Sequence, residues 1–228
     1  MRVKILPLIM IILLYTFSYS SEKVALTIKS KGNAKLKRAE DKEFKYDLKI
    51  GTSIFNKDVV KTGDNGYAVI VFLDDKSQLK IRENTQMVIA GDRKQGEISK
   101  QINMQYGILK AEISKQRKGD FVIATPTSVA SVKGTIFWVI SDPVNGDIFY
   151  GVEGTVEVTN NNSGITVVVG ANQSGTSTPD GEINVENVSP DEMPEDPTEA
   201  EEEEQINTLR IQLQNSDGDT KEIIIEYK

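Results

Sequence analysis

Thr125-Pro126-Thr127-Ser128-Val129-Ala130-Ser131-Val132-Lys133-Gly134-Thr135-Ile136-Phe137-Trp138-Val139 is the stretch from which the fold can be read. Pro126 ends the strand that starts at Phe121, because proline has no N–H for a ladder and holds Thr125 in extended geometry. Gly134 supplies the backbone freedom for one strand to turn into the next. The strand it opens, Thr135 to Ser141, is apolar on consecutive positions. The stretch therefore reads as strand, break, strand, hinge, strand, with no room for a helix between.

Outward from it, runs rich in valine, isoleucine, threonine and aromatics recur between turn residues. They are Val24 to Ile28, Tyr67 to Leu73, Gln78 to Arg82, Met87 to Ala90, Gly107 to Ile113, Phe121 to Ala124, Ile136 to Ile140, Ile148 to Val152, Thr155 to Thr159 and Ile165 to Val169. Helical periodicity is nowhere sustained. Many short strands at close spacing predict an all-β fold, a twisted solenoid-like structure or a sandwich. The runs at Tyr67 and Ile136 are apolar at successive positions and are expected to be central and covered on both faces, whereas Leu79 to Arg82 and Val156 to Thr159 alternate and are expected to be half-exposed. A weak echo between Tyr106-Gly107 and Tyr150-Gly151, each leading into a glutamate-bearing strand, is compatible with stacked rungs or with two independent strand starts.

The two ends read differently. Arg2 and Lys4 precede an apolar run from Ile5 to Phe17, and Ser18 and Ser20 place small residues at −3 and −1, the layout of a secretory signal peptide cleaved after Ser20. The apolar run is short for a spanning helix, so no stable membrane span is expected after cleavage, and the product is placed in the periplasm or at the cell surface. From Ala171 to Gln205 Ser, Thr, Gly, Pro and Glu dominate, which predicts a flexible acidic linker. Residues 206–228 alternate on either side of Asn215 to Asp219 and read as a β-hairpin. The organisation is thus a leader over 1–20, a β domain over 21–170, a linker over 171–205 and a hairpin over 206–228.

Composition removes whole classes of chemistry. The 228 residues include no histidine and no cysteine, which excludes histidine-based triads, ordinary zinc sites, disulfides and thiol chemistry. The net charge is −7 overall, but Glu22 to Gly181 carries 22 basic and 19 acidic residues while Glu182 to Lys228 carries 3 and 15. A near-neutral body with scattered charges does not make a nucleic-acid footprint. Lys61-Thr62-Gly63 matches one motif of penicillin-binding enzymes, but its companions are missing and it reads as a turn. Asp74-Asp75 reads as a turn pair. Glu153 and Glu157, on one strand face, would stand about 13 Å apart, too far for a glycosidase pair. Asn215 to Asp219 lacks the glycine and closing glutamate of a calcium loop. Trp138 reads as core. No catalytic, metal or cofactor residue is assigned, and the chain is read as a non-enzyme.

Gly51-Thr52-Ser53-Ile54, Asp58-Val59-Val60-Lys61-Thr62-Gly63 and Gly66 through Phe72-Leu73-Asp74-Asp75-Lys76-Ser77-Gln78-Leu79-Lys80-Ile81 form an ordered pattern. It continues through Gly107-Ile108-Leu109-Lys110-Ala111, the Thr125 to Val139 stretch, Glu153-Gly154-Thr155-Val156-Glu157-Val158 and Gly170. This pattern, over Lys23 to Gly170, resembles the FecR domain family. The resemblance marks Gly51, Thr62, Gly63, Asp74, Thr125, Pro126, Lys133, Gly134, Thr135, Phe137, Glu153 and Gly154 as signature positions, expected to be structural. Full-length members of that family are transmembrane sigma-factor regulators with this all-β domain in the periplasm and a further module that contacts an outer-membrane transporter. The present hairpin of about twenty residues is shorter than such a module. The resemblance implies an exported, stand-alone FecR-type domain that binds an envelope protein or polysaccharide as a scaffold, or that senses and signals as the sigma-factor regulators do.

Overall fold

The computed structural model describes residues 23–94, 97–116 and 121–196, and the backbone of 207–214 and 220–227. The signal peptide expected over 1–20, residues 197–205 of the expected linker and the turn expected over 215–219 lie outside the described residues.

In chain order the strands are β1 (Lys23–Lys31), β2 (Ala34–Lys37), β3 (Tyr46–Asp47), β4 (Ser53–Phe55), β5 (Asp58–Thr62), β6 (Tyr67–Phe72), β7 (Gln78–Ile81), β8 (Gln86–Lys94) and β9 (Glu97–Glu112). They continue as β10 (Phe121–Ala124), β11 (Ser128–Val132), β12 (Ile136–Asp142), β13 (Gly146–Glu153), β14 (Thr155–Asn160), β15 (Thr166–Gly170), β16 (Gln173–Ser177) and β17 (Ile183–Asn187). A 3₁₀ turn spans Pro190–Glu192. All ten expected runs of the body are strands, so the all-β reading holds. No helix among the described residues is long and apolar enough to cross a membrane.

Pairing divides the strands between two sheets. One runs β4-β1-β6-β7-β9-β12-β13-β16-β17. The other runs β3-β2-β5-β8-β9-β10-β11-β14-β15. β9 belongs to both, its first half pairing with β8 and its last six residues with β12. The bend falls at Gly107, with φ +115°, where a Cβ would sit 2.2 Å from the Thr85 hydroxyl oxygen. Only glycine fits both the torsion and the approach. Beyond this bend the chain lays β10 and β11 in one sheet, β12 and β13 in the other, β14 and β15 back in the first of these and β16 and β17 in the second. The layers are those of a sandwich, and the strands advance along both sheets in chain order.

The inward faces interdigitate in one core. Ile70 and Phe72 of β6, Leu109 of β9, Phe137 and Val139 of β12 and Phe149 of β13 meet Leu36, Val60, Ile89, Ile102, Phe121, Ile123 and Val158 from the opposite sheet, all with no exposed surface. Phe72 and Phe121 pack edge to face across the layers, 5.5 Å between centroids.

Three expectations need correction, and one open alternative is decided. The apolar strands β6 and β12 are covered fully on one face only, since Val71, Ile136 and Ile140 on the outer side are half-buried. Lysine stems, not a third layer, cover that side: Lys110 lies 5.4 Å over the Trp138 ring, so Trp138 is buried at 2 % exposure yet outside the inter-sheet core. The echo is not a pair of stacked equivalents, for Gly107 is level with Ser141 and Gly151 with Phe137, toward opposite ends of β12. Glu153 closes β13 and Glu157 lies in β14, in different sheets.

The largest correction concerns the expected linker. Residues 173–177 and 183–187 are strands, β16 pairing with β13 and β17 with β16, so the β body continues to Ser189. The small residues that suggested a spacer are what this sheet needs. A Cβ at Gly175 would lie 2.4 Å from Val169 Cγ2, so glycine lets the layers close. Residues 190–228 form a separate unit, in which β18 (Asn207–Gln214) and β19 (Thr220–Tyr227) pair as the expected hairpin.

Candidate functional site

Five of the twelve signature residues meet. The chain passes from β11 to β12 through Lys133-Gly134-Thr135 and from β13 to β14 through Gly154, and these two crossings lie side by side. Together with Ile113, Lys115, Ile136, Glu153 and Thr155 they line a groove of about 550 Å³ on the rim of the sandwich. Its floor is main chain. Ile113 N–H donates to Thr135 O at 2.9 Å, Thr135 N–H returns to Ile113 O at 3.1 Å, and Gln116 N–H donates to Lys133 O at 2.7 Å. The Thr135 hydroxyl donates to Thr155 O at 2.9 Å and ties one crossing to the other. Gly134 has φ +153°, and a Cβ there would stand 3.0 Å from Lys115 Cα. A side chain at Gly134 would therefore meet strain and contact together.

Thr125 and Pro126 occupy a second place, the β10–β11 turn. Thr125 Oγ1 accepts the Ser128 N–H at 2.9 Å and donates to Asp147 Oδ2 at 2.5 Å. Asp147 is fully buried, and that burial pushes its carboxyl above the usual 3.8, against the opposing pull of the Thr125 hydroxyl. Its Oδ1 and the Ser128 and Ser141 hydroxyls are buried without a hydrogen bond among the described residues. Asn161 fastens the turn from outside, its side-chain amide donating to Thr125 O and Pro126 O at 3.2 Å.

Asp74 marks a third place. Asp74 Oδ2 accepts the Ile98 N–H at 3.0 Å and the Lys100 ammonium at 2.8 Å, and Asp75 Oδ2 accepts the same ammonium at 2.8 Å. Lys100 is 3 % exposed. Asp75 also accepts from Ser77 N–H and Oγ, both at 2.9 Å, and from Gln116 Nε2 at 2.6 Å. Burial pushes its carboxyl up, but the bonds from Lys100, Gln116 and Ser77 prevail and hold it below the usual 3.8. The turn reading of this pair thus describes only its bond to Ser77.

The remaining positions are separate. The Thr62 hydroxyl donates to Arg82 O at 2.5 Å and accepts the Thr85 N–H at 3.1 Å, while Gly63 starts the turn into β6 and its N–H donates to Asn33 O at 2.8 Å. Gly51 forms the turn before β4 with φ +83°. Phe137 points into the core, fully buried.

The family model described as FecR protein matches residues 58–171. The chain belongs to the FecR family. The matched residues run from the start of β5 to just past β15 and contain the rim groove, the Asp147 site and the Asp74–Asp75–Lys100 site. Gly51 and the first four strands, which the sequence pattern had included, lie ahead of the match, and β16 and β17 follow it. Two crystal structures, each of a proposed anti-sigma factor from Parabacteroides distasonis, are similar to this chain with TM-scores of 0.49 and 0.48 at 16% and 18% identity. Each similarity covers 57% of this chain and 60% of the other. A comparison with curated proteins finds no match.

Reading the sequence for chemistry missed Lys100 and Asp147. Both had a signal. In Ile98-Ser99-Lys100-Gln101-Ile102-Asn103-Met104, lysine takes an apolar position of the alternation, and in Asp147-Ile148-Phe149, aspartate shares a face with phenylalanine. Lys115 and Ile113 of the groove carried no such mark, because only the crossing geometry brings them to Gly134.

Proposed function

We propose that this chain is a non-catalytic sensing or regulatory component of a bacterial cell envelope, acting through protein contacts of its β domain. Membership of the FecR family carries this reading. The geometry supports it further: the Thr135 hydroxyl holds the neighbouring crossing, the Thr125 hydroxyl holds Asp147, and Asp74 holds Lys100. These polar groups are committed to shaping the chain. The leader pattern over Met1 to Ser20 supports export of the mature protein, and on this reading the native protein is expected to start at Ser21 on N-terminal sequencing.

Purification of the tagged full chain from a cross-linked envelope fraction tests the reading. A sigma-factor regulator or an outer-membrane transporter recovered with it supports regulation. Recovery of polysaccharide or structural envelope proteins alone would overturn regulation in favour of a scaffold that holds an envelope protein or polymer.

A further inference from the structure

Lys100 lies in the first half of β9, level with Gly91 of β8 in one sheet, whereas Asp74 and Asp75 form the turn between β6 and β7 of the other. The Lys100 ammonium stands 2.8 Å from Asp74 Oδ2 and 2.8 Å from Asp75 Oδ2, and the three side chains are 2%, 11% and 19% exposed. Beneath the nitrogen is the Phe72 ring, its centroid 5.5 Å away and its side chain fully buried. An amine and two carboxyls thus meet on an apolar floor, nearly shut off from water.

The two carboxyls are held differently. Asp75 accepts from Ser77 and Gln116 as well as from Lys100, and these bonds keep it ionised at neutral pH. Asp74 accepts the Ile98 N–H at 3.0 Å and the Lys100 ammonium on the same oxygen, Oδ2. Its Oδ1 is buried with no hydrogen bond among the described residues. A buried oxygen without a donor costs stability, so an ion pair accounts for Oδ2 and leaves Oδ1 unexplained. An oxygen that is to depart needs no lasting donor.

We propose that Lys100 and Asp74 condense on standing in the folded protein to an amide cross-link between the two sheets, with Asp75 as general base. Asp75 takes a proton from the ammonium, the freed Nζ lone pair attacks Asp74 Cγ, and charge gathers on Oδ2, at which the Ile98 N–H is already aimed. The Nζ–Cγ bond forms and the Cγ–Oδ1 bond breaks. Two of the three ammonium protons leave with Oδ1 as water and the third stays on the amide nitrogen. Asp75 relays the protons and ends ionised as it began, so no co-reactant enters. Reacting groups held in place reach effective concentrations of about 10⁵ M or more, and this lets an amide form where bulk water would oppose it. The link is independent of the regulatory reading, since it serves a sensor and a scaffold alike.

Intact mass spectrometry of the full chain, freshly refolded and again after prolonged incubation at pH 7, tests the proposal. The aged protein is expected to be lighter by one water. In its tryptic map, cleavage after Lys100 is lost and residues 62–76 stay joined to 95–110, with fragmentation placing the bond at Asp74. Asp75→Asn is expected to slow the loss about a hundredfold or more. Asp74→Asn is expected to form the same cross-link with loss of ammonia in place of water, which keeps the test open if the Asp75 variant does not fold. Lys100→Arg retains a cation but offers no amine, and is expected to keep its full mass. An unchanged mass of the aged, folded parent overturns the proposal. So does a bond placed at Asp75, or a water lost while cleavage after Lys100 persists, the mark of a succinimide between Asp74 and Asp75.

Discussion

Half-buried Asp74 and Asp75 of the β6–β7 turn converge on the buried Lys100, whereas Asp147, buried more completely, is bonded by a hydroxyl and meets no cation among the described residues. At the first site a cation and several donors hold Asp75 below its ordinary value; at the second, desolvation prevails and Asp147 is raised. Burial is common to both. The difference lies in what the opposing strand delivers, a lysine from β9 in one case and Ser128 and Thr125 from the β10–β11 turn in the other. A buried carboxylate is thus a charge to be matched or a charge to be discharged, according to its partner.

The sharpest way to break the contrast is Lys100→Met, which leaves two half-buried carboxylates side by side without their cation. A loss of about 3–5 kcal/mol at pH 7 is expected in urea unfolding, shrinking below about pH 4 as the acids take up protons. A loss under about 1 kcal/mol would show the site to be open to water.

Asp75→Asn keeps the shape and removes the charge. Because the folded-state value of Asp75 is depressed, its stabilisation is present above 3.8 and is lost as pH falls through the folded-state value. The variant should be about 1.5–3 kcal/mol less stable at pH 7 and should converge with the parent in acid.

Asp147→Asn should act in the opposite direction. A raised folded-state value means that ionisation penalises the native state, with no penalty below 3.8 and the full penalty above the folded-state value. The amide can still accept from Thr125 and can donate to the Ser128 or Ser141 oxygen. A gain of about 1 kcal/mol at pH 7 that disappears in acid is expected, and a melting series from pH 3 to pH 8 checks it. Smallest is Ser141→Ala. Its hydroxyl makes no hydrogen bond among the described residues, so stability within about 0.5 kcal/mol of the parent is expected, and a larger loss would reveal a bond to Asp147.

Fold class was legible because strand patterns are local. Ten runs from Val24 to Val169 show their β-branched content and turn boundaries within a few residues each. β16 was not legible, since Ser174, Gly175 and Ser177 earn their place only through contact with the layer below. The candidate site divides the same way. Gly134 and Pro126 announce themselves by backbone chemistry, and the hinge inferred at Gly134 is where the chain crosses between layers. That Gly134 stands beside Gly154 and Lys115 depends on two crossings being neighbours, and no single segment encodes that.

By itself, then, the sequence determined the strand content, the break at Pro126, the hinge at Gly134, the acidic tail and the exclusion of histidine and cysteine chemistry. These follow from side-chain type and from spacing along the chain. Tertiary structure alone decided that Asp74 and Asp75 share Lys100, that Asp147 meets no cation among the described residues, and that five signature residues line one groove. Each of those depends on which strands lie opposite one another, and that is fixed by the register of long-range pairs and the closing of two layers on one core.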